Sequence, residues 1–181
     1  MNMAKNKNEK ILFLVLTGLF TAMITVSTMI IRIPTPTKGY INLGDCFVNI
    51  AGWLLGGVYG GIAAGTGSAL SDLFGGYTVY VLPTFIIKGL MAVAAFALYN
   101  VLSKKAPNFV GRIVSAIAAE IVMIVGYAVF EAFLYGSVAT ALTGVPGNIV
   151  QGIGGASFGV LLYEGVIARI PAAKGLAAAR K

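Results

Sequence analysis

The sequence predicts an all-α membrane protein, a compact bundle of six transmembrane helices with cytoplasmic N- and C-termini. The prediction rests on the composition and on the placement of the charges. Of the 181 residues, 58% are hydrophobic and only 10% are charged, whereas a soluble domain usually carries about 25% charged residues. So few charges cannot cover the surface of a soluble globule, and lipid is expected to surround most of the exterior.

Ten of the thirteen lysine and arginine residues behind the net charge of +7 lie in three short segments at the ends of apolar runs, whereas Arg32 and Lys38 lie in the predicted outer loop. These segments hold Lys5, Lys7 and Lys10, then Lys104, Lys105 and Arg112, and finally Arg169, Lys174, Arg180 and Lys181. Such a distribution follows the positive-inside rule of multispanning proteins rather than the basic face of a nucleic-acid-binding protein. It predicts that all three segments lie in the cytoplasm, so an even number of crossings separates each from the next.

The apolar runs divide into six crossings of suitable length. The predicted helices are Ile11–Ile31, Leu43–Val58, Gly61–Phe74, Pro83–Leu102, Arg112–Phe133 and Gly147–Ile167. The second and third come from one run that would be roughly 50 Å long as a single helix, whereas the hydrocarbon core is about 30 Å thick. The glycines at its centre predict a turn there. A turn is also required because an even number of crossings must separate the cytoplasmic N-terminus from the cytoplasmic segment with Lys104 and Lys105.

We expect a single domain over residues 1–181, without a cleaved leader. It comprises a basic N-terminus (1–10), an outer loop (32–42) and a basic tail (171–181) around the six helices. The first apolar run is too long for a typical signal-peptide core, and no clear cleavage site follows it. In the outer loop, Pro34 and Pro36 break helical structure, and Gly39 permits a turn.

Several kinds of chemistry are excluded by residue type. The chain has no histidine and one cysteine, Cys46, so it lacks the residues for a Ser-His-Asp triad, a disulfide framework or a typical zinc site. The glycine-rich stretch 56–67 lacks the Gly-Lys-Ser/Thr ending of a phosphate-binding loop. We therefore expect no enzymatic activity, no metal and no cofactor.

Polar residues within the predicted helices converge on the outer third of the membrane. The candidate substrate-binding residues are Tyr40, Asn42, Asp45, Asn49, Asp72, Lys88, Glu131, Asn148 and Gln151. Charged groups at membrane depth usually face a cavity or a partner, so these residues predict an outward-facing site with the loop above it. Alternatively, Lys88 pairs with Asp45 or Asp72 and only holds the bundle together.

The first helix carries small residues four positions apart, Gly18 and Ala22. This spacing lets another helix approach closely. The neighbour is either a helix of a partner protein or another helix of this chain, and the spacing alone allows both.

Four motifs in the first half of the chain carry a family resemblance. They are Gly39-Tyr-Ile-Asn-Leu-Gly-Asp45, Leu55-Gly-Gly-Val-Tyr-Gly-Gly61, Gly65-Thr-Gly-Ser-Ala-Leu-Ser-Asp-Leu73 and Pro83-Thr-Phe-Ile-Ile-Lys-Gly-Leu90. Together they resemble the substrate-binding S component of energy-coupling factor (ECF) vitamin transporters. The resemblance implies a bacterial plasma-membrane protein that works with a membrane T component and two cytosolic ATPases.

The resemblance also implies roles for particular residues. It implies that loop 32–42 covers the ligand and that Gly18 and Ala22 face the T component, in place of the family's usual pair of alanines. The implied ligand is a pyridoxine-, hydroxymethylpyrimidine-, riboflavin- or queuine-like micronutrient. The alternative is a stand-alone small secondary carrier or channel, in which buried Asp, Glu and Lys relay protons.

Overall fold

The computed structural model describes residues 3–35, 37 and 39–179. Pro36, Lys38, Arg180 and Lys181, which the sequence analysis placed in the outer loop and the basic tail, lie outside this range. In the described range the helices are α1 (Met3–Ile30), α2 (Gly44–Phe74), α3 (Val81–Leu102), α4 (Asn108–Tyr135), α5 (Val138–Leu142), α6 (Val145–Gly165) and α7 (Pro171–Ala179). Strands β1 (Ile33–Pro34) and β2 (Tyr40–Ile41) form a short antiparallel hairpin between α1 and α2.

Helix α2 is a helical hairpin with two antiparallel arms, residues 44–55 and 57–74. The chain reverses at Gly56, whose φ of 83° and ψ of −177° are non-helical and accessible essentially only to glycine. A methyl group added at Gly60 would lie 2.6 Å from the carbonyl oxygen of Ala51. In a straight helix these two residues, nine positions apart, would be separated by about 13 Å. The two arms therefore pack directly against each other.

The two arms of α2, together with α1, α3, α4 and α6, form the predicted six-helix bundle. Five helices are long and apolar enough to cross a membrane when α2 is taken as one. The predicted turn between Val58 and Gly61 falls slightly earlier, at Gly56, because a single left-handed glycine suffices to reverse the chain. The structure adds α5 and α7, which are too short and too weakly patterned to stand out in the sequence.

The centre of the bundle is the first arm of α2. Val48, Ile50 and Trp53 are fully buried there, whereas large apolar side chains such as Phe133 of α4 are exposed on the outside. Large apolar side chains exposed on the outside of the bundle are expected where the exterior faces lipid. Cys46 is buried with this core, as expected for a small apolar side chain.

The bundle has two distinct ends, which we call the loop end and the basic end. The loop end holds residues 31–35, 37 and 39–43 together with the starts of α2, α3 and α6 and the end of α4. The basic end holds the Gly56 turn, the connection between α3 and α4 with Lys104 and Lys105, and the C-terminal helix α7. Ala173 of α7 is buried there against the core.

At the basic end, Arg112 joins α3, α4 and α6. Its guanidinium lies 4.8 Å from the ring centroid of Tyr99 and 3.9 Å from that of Tyr163, and it forms an ion pair with Glu164. Stacking against aromatic rings and pairing with a carboxylate together compensate the burial of this charge.

Candidate functional site

A cavity lies beneath the loop, at the end of the bundle opposite the basic turns. Its wall is formed by Thr28, Thr35, Gly39, Tyr40, Asn42, Ser68, Asp72, Tyr77, Tyr80, Thr84, Lys88, Tyr127, Glu131, Asn148 and Gln151. These residues come from α1, the loop, the second arm of α2, the segment between α2 and α3, α3, α4 and α6. The space open to the centre of a water molecule is about 30 Å³, enough for about two waters, so the loop nearly closes the cavity.

The fold brings seven of the nine candidate residues into this wall. They are Tyr40, Asn42, Asp72, Lys88, Glu131, Asn148 and Gln151. The other two, Asp45 and Asn49, are fully buried one layer below, where they support the residues that form the floor.

The floor of the cavity is a hydrogen-bonded network centred on Asp45. Lys88 of α3 forms an ion pair with one carboxylate oxygen of Asp45, and Gln151 Nε2 of α6 donates to the other at 2.6 Å. The Gln151 side-chain oxygen accepts from the Asn42 backbone N–H at 2.9 Å. Of the two pairings left open for Lys88, the structure contains the one with Asp45.

Below this floor, Asn49 connects α2 to α4. Its side-chain amide donates to Glu120 Oε1 at 2.9 Å and to the carbonyl oxygen of Asp45 at 3.1 Å. The spacing of four that places Asp45, Asn49 and Trp53 on one face thus directs all three into the bundle interior. Glu120, for which the sequence indicated no role, is the acceptor at the base of this column.

One wall of the cavity is built around Tyr40 of β2. Its hydroxyl donates to Asp72 at the end of α2, and the Arg32 guanidinium lies 4.9 Å from the centroid of its ring. Burial, reinforced by the nearby charge of Asp72, raises the pKa of Tyr40 above its usual value. The hydroxyl therefore stays protonated at neutral pH and remains a donor to Asp72.

Two tyrosines of the bundle hold the loop over the cavity. The carbonyl oxygen of Thr37 accepts from the Tyr80 hydroxyl and from the Tyr135 hydroxyl, each at 2.6 Å. Tyr80 also lies 3.2 Å from Glu131 Oε1. The loop is thus closed by a few polar contacts near its tip rather than by a large apolar interface.

Sequence reasoning missed the aromatic part of the wall. Apart from Tyr40 it considered charged and amide side chains, and so did not include Tyr77, Tyr80 and Tyr127 or the threonines. A signal was present, because Tyr80, Thr84 and Lys88 recur at intervals of four on α3 and share one helix face. The hydroxyl of Thr84 lies 2.9 Å from that of Tyr127.

The small-residue pair on α1 points away from the bundle. Gly18 and Ala22 are both exposed, and a methyl group added at Gly18 would meet nothing within 4 Å. The threonines of the same helix point inward instead: Thr17 and Thr25 are buried, and Thr25 donates to the carbonyl oxygen of Gly67 at 2.9 Å. Internal packing therefore does not use the groove formed by Gly18 and Ala22.

Comparison with known proteins agrees with this architecture. The family model described as ECF-type riboflavin transporter, S component, matches residues 8–168. An "Uncharacterized protein in gap 3'region" of Pyrococcus woesei is 36% identical over 137 residues, or 75% of this chain and 88% of that protein.

A solved structure has the same fold. It was reported as "Structure and mechanism of the S component of a bacterial ECF transporter" and superposes with a TM-score of 0.68 at 24% identity. The superposition covers 88% of this chain and 97% of that one. The family match spans α1 to α6, the loop and every residue of the cavity wall. The resemblance seen in the motifs is thereby confirmed, and this multi-pass membrane chain belongs to the ECF-type riboflavin transporter S component family.

Proposed function

We propose that this S component binds riboflavin, or a vitamin with a similar flat heteroaromatic ring, in the cavity beneath the loop. The observation that carries the proposal is the wall itself, in which Tyr40, Tyr77, Tyr80 and Tyr127 stand among hydroxyl, amide and carboxylate groups. Tyrosine rings can stack on a flat ligand while their hydroxyls bind its polar edge. The family match supports a flavin over the pyridoxine-, hydroxymethylpyrimidine- and queuine-like alternatives.

Binding on this proposal requires the loop to open. A vitamin-sized ligand occupies a pocket of roughly 300 Å³ or more, whereas the closed cavity leaves about 30 Å³ for water centres. The contacts that hold the loop tip are the two tyrosine hydroxyls on the Thr37 carbonyl oxygen. Each such hydrogen bond contributes about 1 kcal/mol net, so releasing the loop tip alone is inexpensive, whereas wider opening also breaks the Tyr40–Asp72 hydrogen bond.

We assign the energy for uptake to partner subunits, and no enzymatic activity to this chain. The glycine-rich stretch that could suggest a nucleotide site forms the hairpin of α2 and the packing around it. A T component in the cell membrane would dock on the outward Gly18 and Ala22 surface, and its two ATPases would hydrolyse ATP.

A stand-alone secondary carrier is the second candidate, favoured by the buried Asp45, Lys88 and Glu120. Reconstituted vesicles decide between the two. The S-component proposal expects vitamin accumulation only when the T component, both ATPases and internal ATP are present. Accumulation by this chain alone, driven by a proton or sodium gradient, would establish the carrier.

We predict that the purified chain binds riboflavin with high affinity. Stacking on the tyrosine wall should quench flavin fluorescence, and titration should saturate at one flavin per chain. The control is a parallel titration with pyridoxine and with hydroxymethylpyrimidine. Saturable binding of either, with no binding of riboflavin, would contradict the flavin assignment while leaving a vitamin-binding function intact.

Lys88→Met tests whether Lys88 stabilises the floor of the cavity through its ion pair or contacts the ligand directly. Removing one partner of a buried ion pair typically costs about 3–5 kcal/mol, so we expect a much lower melting temperature than for the wild type. Adding Asp45→Asn to Lys88→Met should recover part of that loss, because Asp45 is then no longer an uncompensated charge. A Lys88→Met protein that melts normally but loses riboflavin affinity would instead make Lys88 a direct ligand contact.

Gly18→Leu and Ala22→Leu should prevent assembly with a T component and leave vitamin binding unchanged. A bulky side chain holds the two helices apart where only van der Waals packing joins them. Ala97→Leu is the matched control, since Ala97 is exposed on α3, away from the α1 groove. Normal ATP-driven uptake by either α1 variant would show that the partner docks elsewhere.

We propose that the loop end faces outside and the basic end faces the cytoplasm, as the lysines predict. The test is thiol labelling of Lys105→Cys and Thr140→Cys, each in a Cys46→Ala background. Both positions are exposed and lie at opposite ends of the bundle. Thr140→Cys should react in intact cells and Lys105→Cys only after permeabilisation, and the reverse pattern would invert the topology.

A further inference from the structure

Glu120 of α4 is a buried carboxyl that lies outside the cavity wall. It is 4% exposed, and its Oε1 accepts from the side-chain amide of Asn49 at 2.9 Å. Its other oxygen, Oε2, has no hydrogen-bond donor among the described residues. Buried polar atoms are nearly always paired, so an unpaired oxygen at this depth indicates a bound group that completes it.

Asn49 has a matching unpaired atom. Its amide nitrogen donates to Glu120 and to the carbonyl oxygen of Asp45, whereas its Oδ1 accepts from none of the described residues. A carboxamide and a neutral carboxylic acid can pair through two hydrogen bonds, one from the amide N–H and one from the acid O–H. The first of these bonds is present. The second joins Glu120 Oε2 to Asn49 Oδ1, the two unpaired atoms, and it requires a proton on Glu120.

The charges around Glu120 also favour a proton there. Lys88 of α3 is the basic side chain near Glu120 in the described part of the bundle, and it already forms an ion pair with Asp45 of α2. Arg112 lies about two turns earlier on α4, or roughly 12 Å away, and is paired with Glu164. An ionised Glu120 would therefore add a second negative charge beside one lysine, at a depth where an uncompensated charge is costly.

The other surroundings of Glu120 are apolar. Helix α6 contacts it through Gly152 and Gly155, where an added methyl group would lie 3.1 Å from Glu120 Cβ and 2.8 Å from its Oε1. Glu120 also lies in the wall of a crevice of about 160 Å³ between α4 and α6, whose other walls are isoleucines and small residues such as Ile121 and Ile153. Aliphatic groups cannot stabilise a carboxylate, and a neutral acid is far less costly to bury among them.

We infer that Glu120 is a proton-binding site: it carries one proton at neutral pH and pairs with Asn49 as a carboxylic acid, which leaves Asp45 and Lys88 as balanced charges. Mg²⁺ or Ca²⁺ in place of the proton would take about six or more oxygen ligands, whereas the described side chains leave two unpaired oxygens there. Because Asn49 also bonds the backbone of Asp45, the proton lies one residue from the floor of the cavity. The site is separate from the cavity and needs no vitamin to be occupied.

Infrared absorption of the full chain in lipid nanodiscs detects the proton directly, because a carboxylic acid and a carboxylate absorb at different frequencies. The chain is produced with carbon-13 in the glutamate side-chain carboxyls and with Glu131→Gln, which removes the other buried glutamate. Of the remaining glutamates, Glu9 is exposed and Glu164 forms an ion pair with Arg112. We expect an isotope-shifted acid band at neutral pH that Glu120→Gln abolishes. Labelled carboxylate bands alone, or an acid band that survives Glu120→Gln, would overturn the inference.

Glu120→Gln replaces the acid by an amide of the same shape that can form both hydrogen bonds with Asn49. We therefore expect a melting temperature at or above that of the wild type at neutral pH. Asp45→Asn is the matched control, because the same carboxyl-to-amide change leaves Lys88 without its anion. It should lower the melting temperature by about 10 °C, the loss expected when one partner of a buried ion pair is removed. A folded Glu120→Gln protein with a comparable loss contradicts the inference, and if this variant does not fold, the presence or absence of the labelled acid band decides alone.

The pH dependence of unfolding gives an independent measurement. Glutamate in the unfolded chain has released its proton above about pH 5, so a folded state that keeps the proton loses stability as the pH rises. The unfolding constant of the wild type, relative to that of Glu120→Gln, should therefore grow about tenfold per pH unit between about pH 5 and 8. The ratio cancels the titration of the groups near Glu120, which are Asp45, Lys88 and Cys46. A ratio that stays constant with pH rejects the bound proton, and because no vitamin is added, either result is independent of the proposed function.

Discussion

The ion pair between Lys88 and Asp45 is the contact on which the site depends. Both side chains are at most 3% exposed, and at this depth either charge alone would be very costly. Together they join α3 to the first arm of α2, and Gln151 adds α6 and the loop through Asp45 and Asn42. The floor of the cavity is therefore a closed set of mutually satisfied polar groups. The position of the floor determines where the tyrosines and carboxylates of the wall lie.

Because the floor is satisfied, the proposed function leaves recognition of the vitamin to the walls and the loop. The groups that close the loop are themselves part of the wall or adjacent to it: Tyr40 reaches Asp72, and Tyr80 bonds the loop at Thr37. A ligand that takes hydrogen bonds from this set competes with the loop for the same partners. On the proposed function, closure and binding are therefore coupled through shared hydrogen bonds, without any need for a long-range signal.

The sequence predicted the bundle and seven of the fifteen described residues of the wall because depth in the membrane constrains polar residues strongly. Asp72, Lys88, Glu131 and Gln151 stand out in apolar runs and all fall near one end. The sequence could not decide which carboxylate pairs with Lys88, since Asp45 and Asp72 lie at similar depths. Tyr77, Tyr80 and Tyr127 were missed because an aromatic side chain in an apolar run does not stand out as a charged one does. Likewise, many central glycines could have made the turn, and only the backbone geometry identifies Gly56.

Helix α1 shows why spacing alone cannot distinguish an internal contact from an external one. Thr17, Thr21 and Thr25 recur at the same interval as Gly18 and Ala22, yet the two sets lie on different faces. The threonine face contains hydroxyls that need acceptors. Thr17 finds one within α1, at the Phe13 carbonyl oxygen, and Thr25 also finds one on α2, at the Gly67 carbonyl oxygen. The Gly18 and Ala22 face has no side-chain polar group to satisfy, so it tolerates lipid and a partner helix equally well. A surface that exchanges lipid for a partner helix can therefore form and release contacts without leaving a buried polar atom unpaired. The same helix reaches the cavity through Thr28, so one helix connects the proposed vitamin site to the surface on which a partner is proposed to dock.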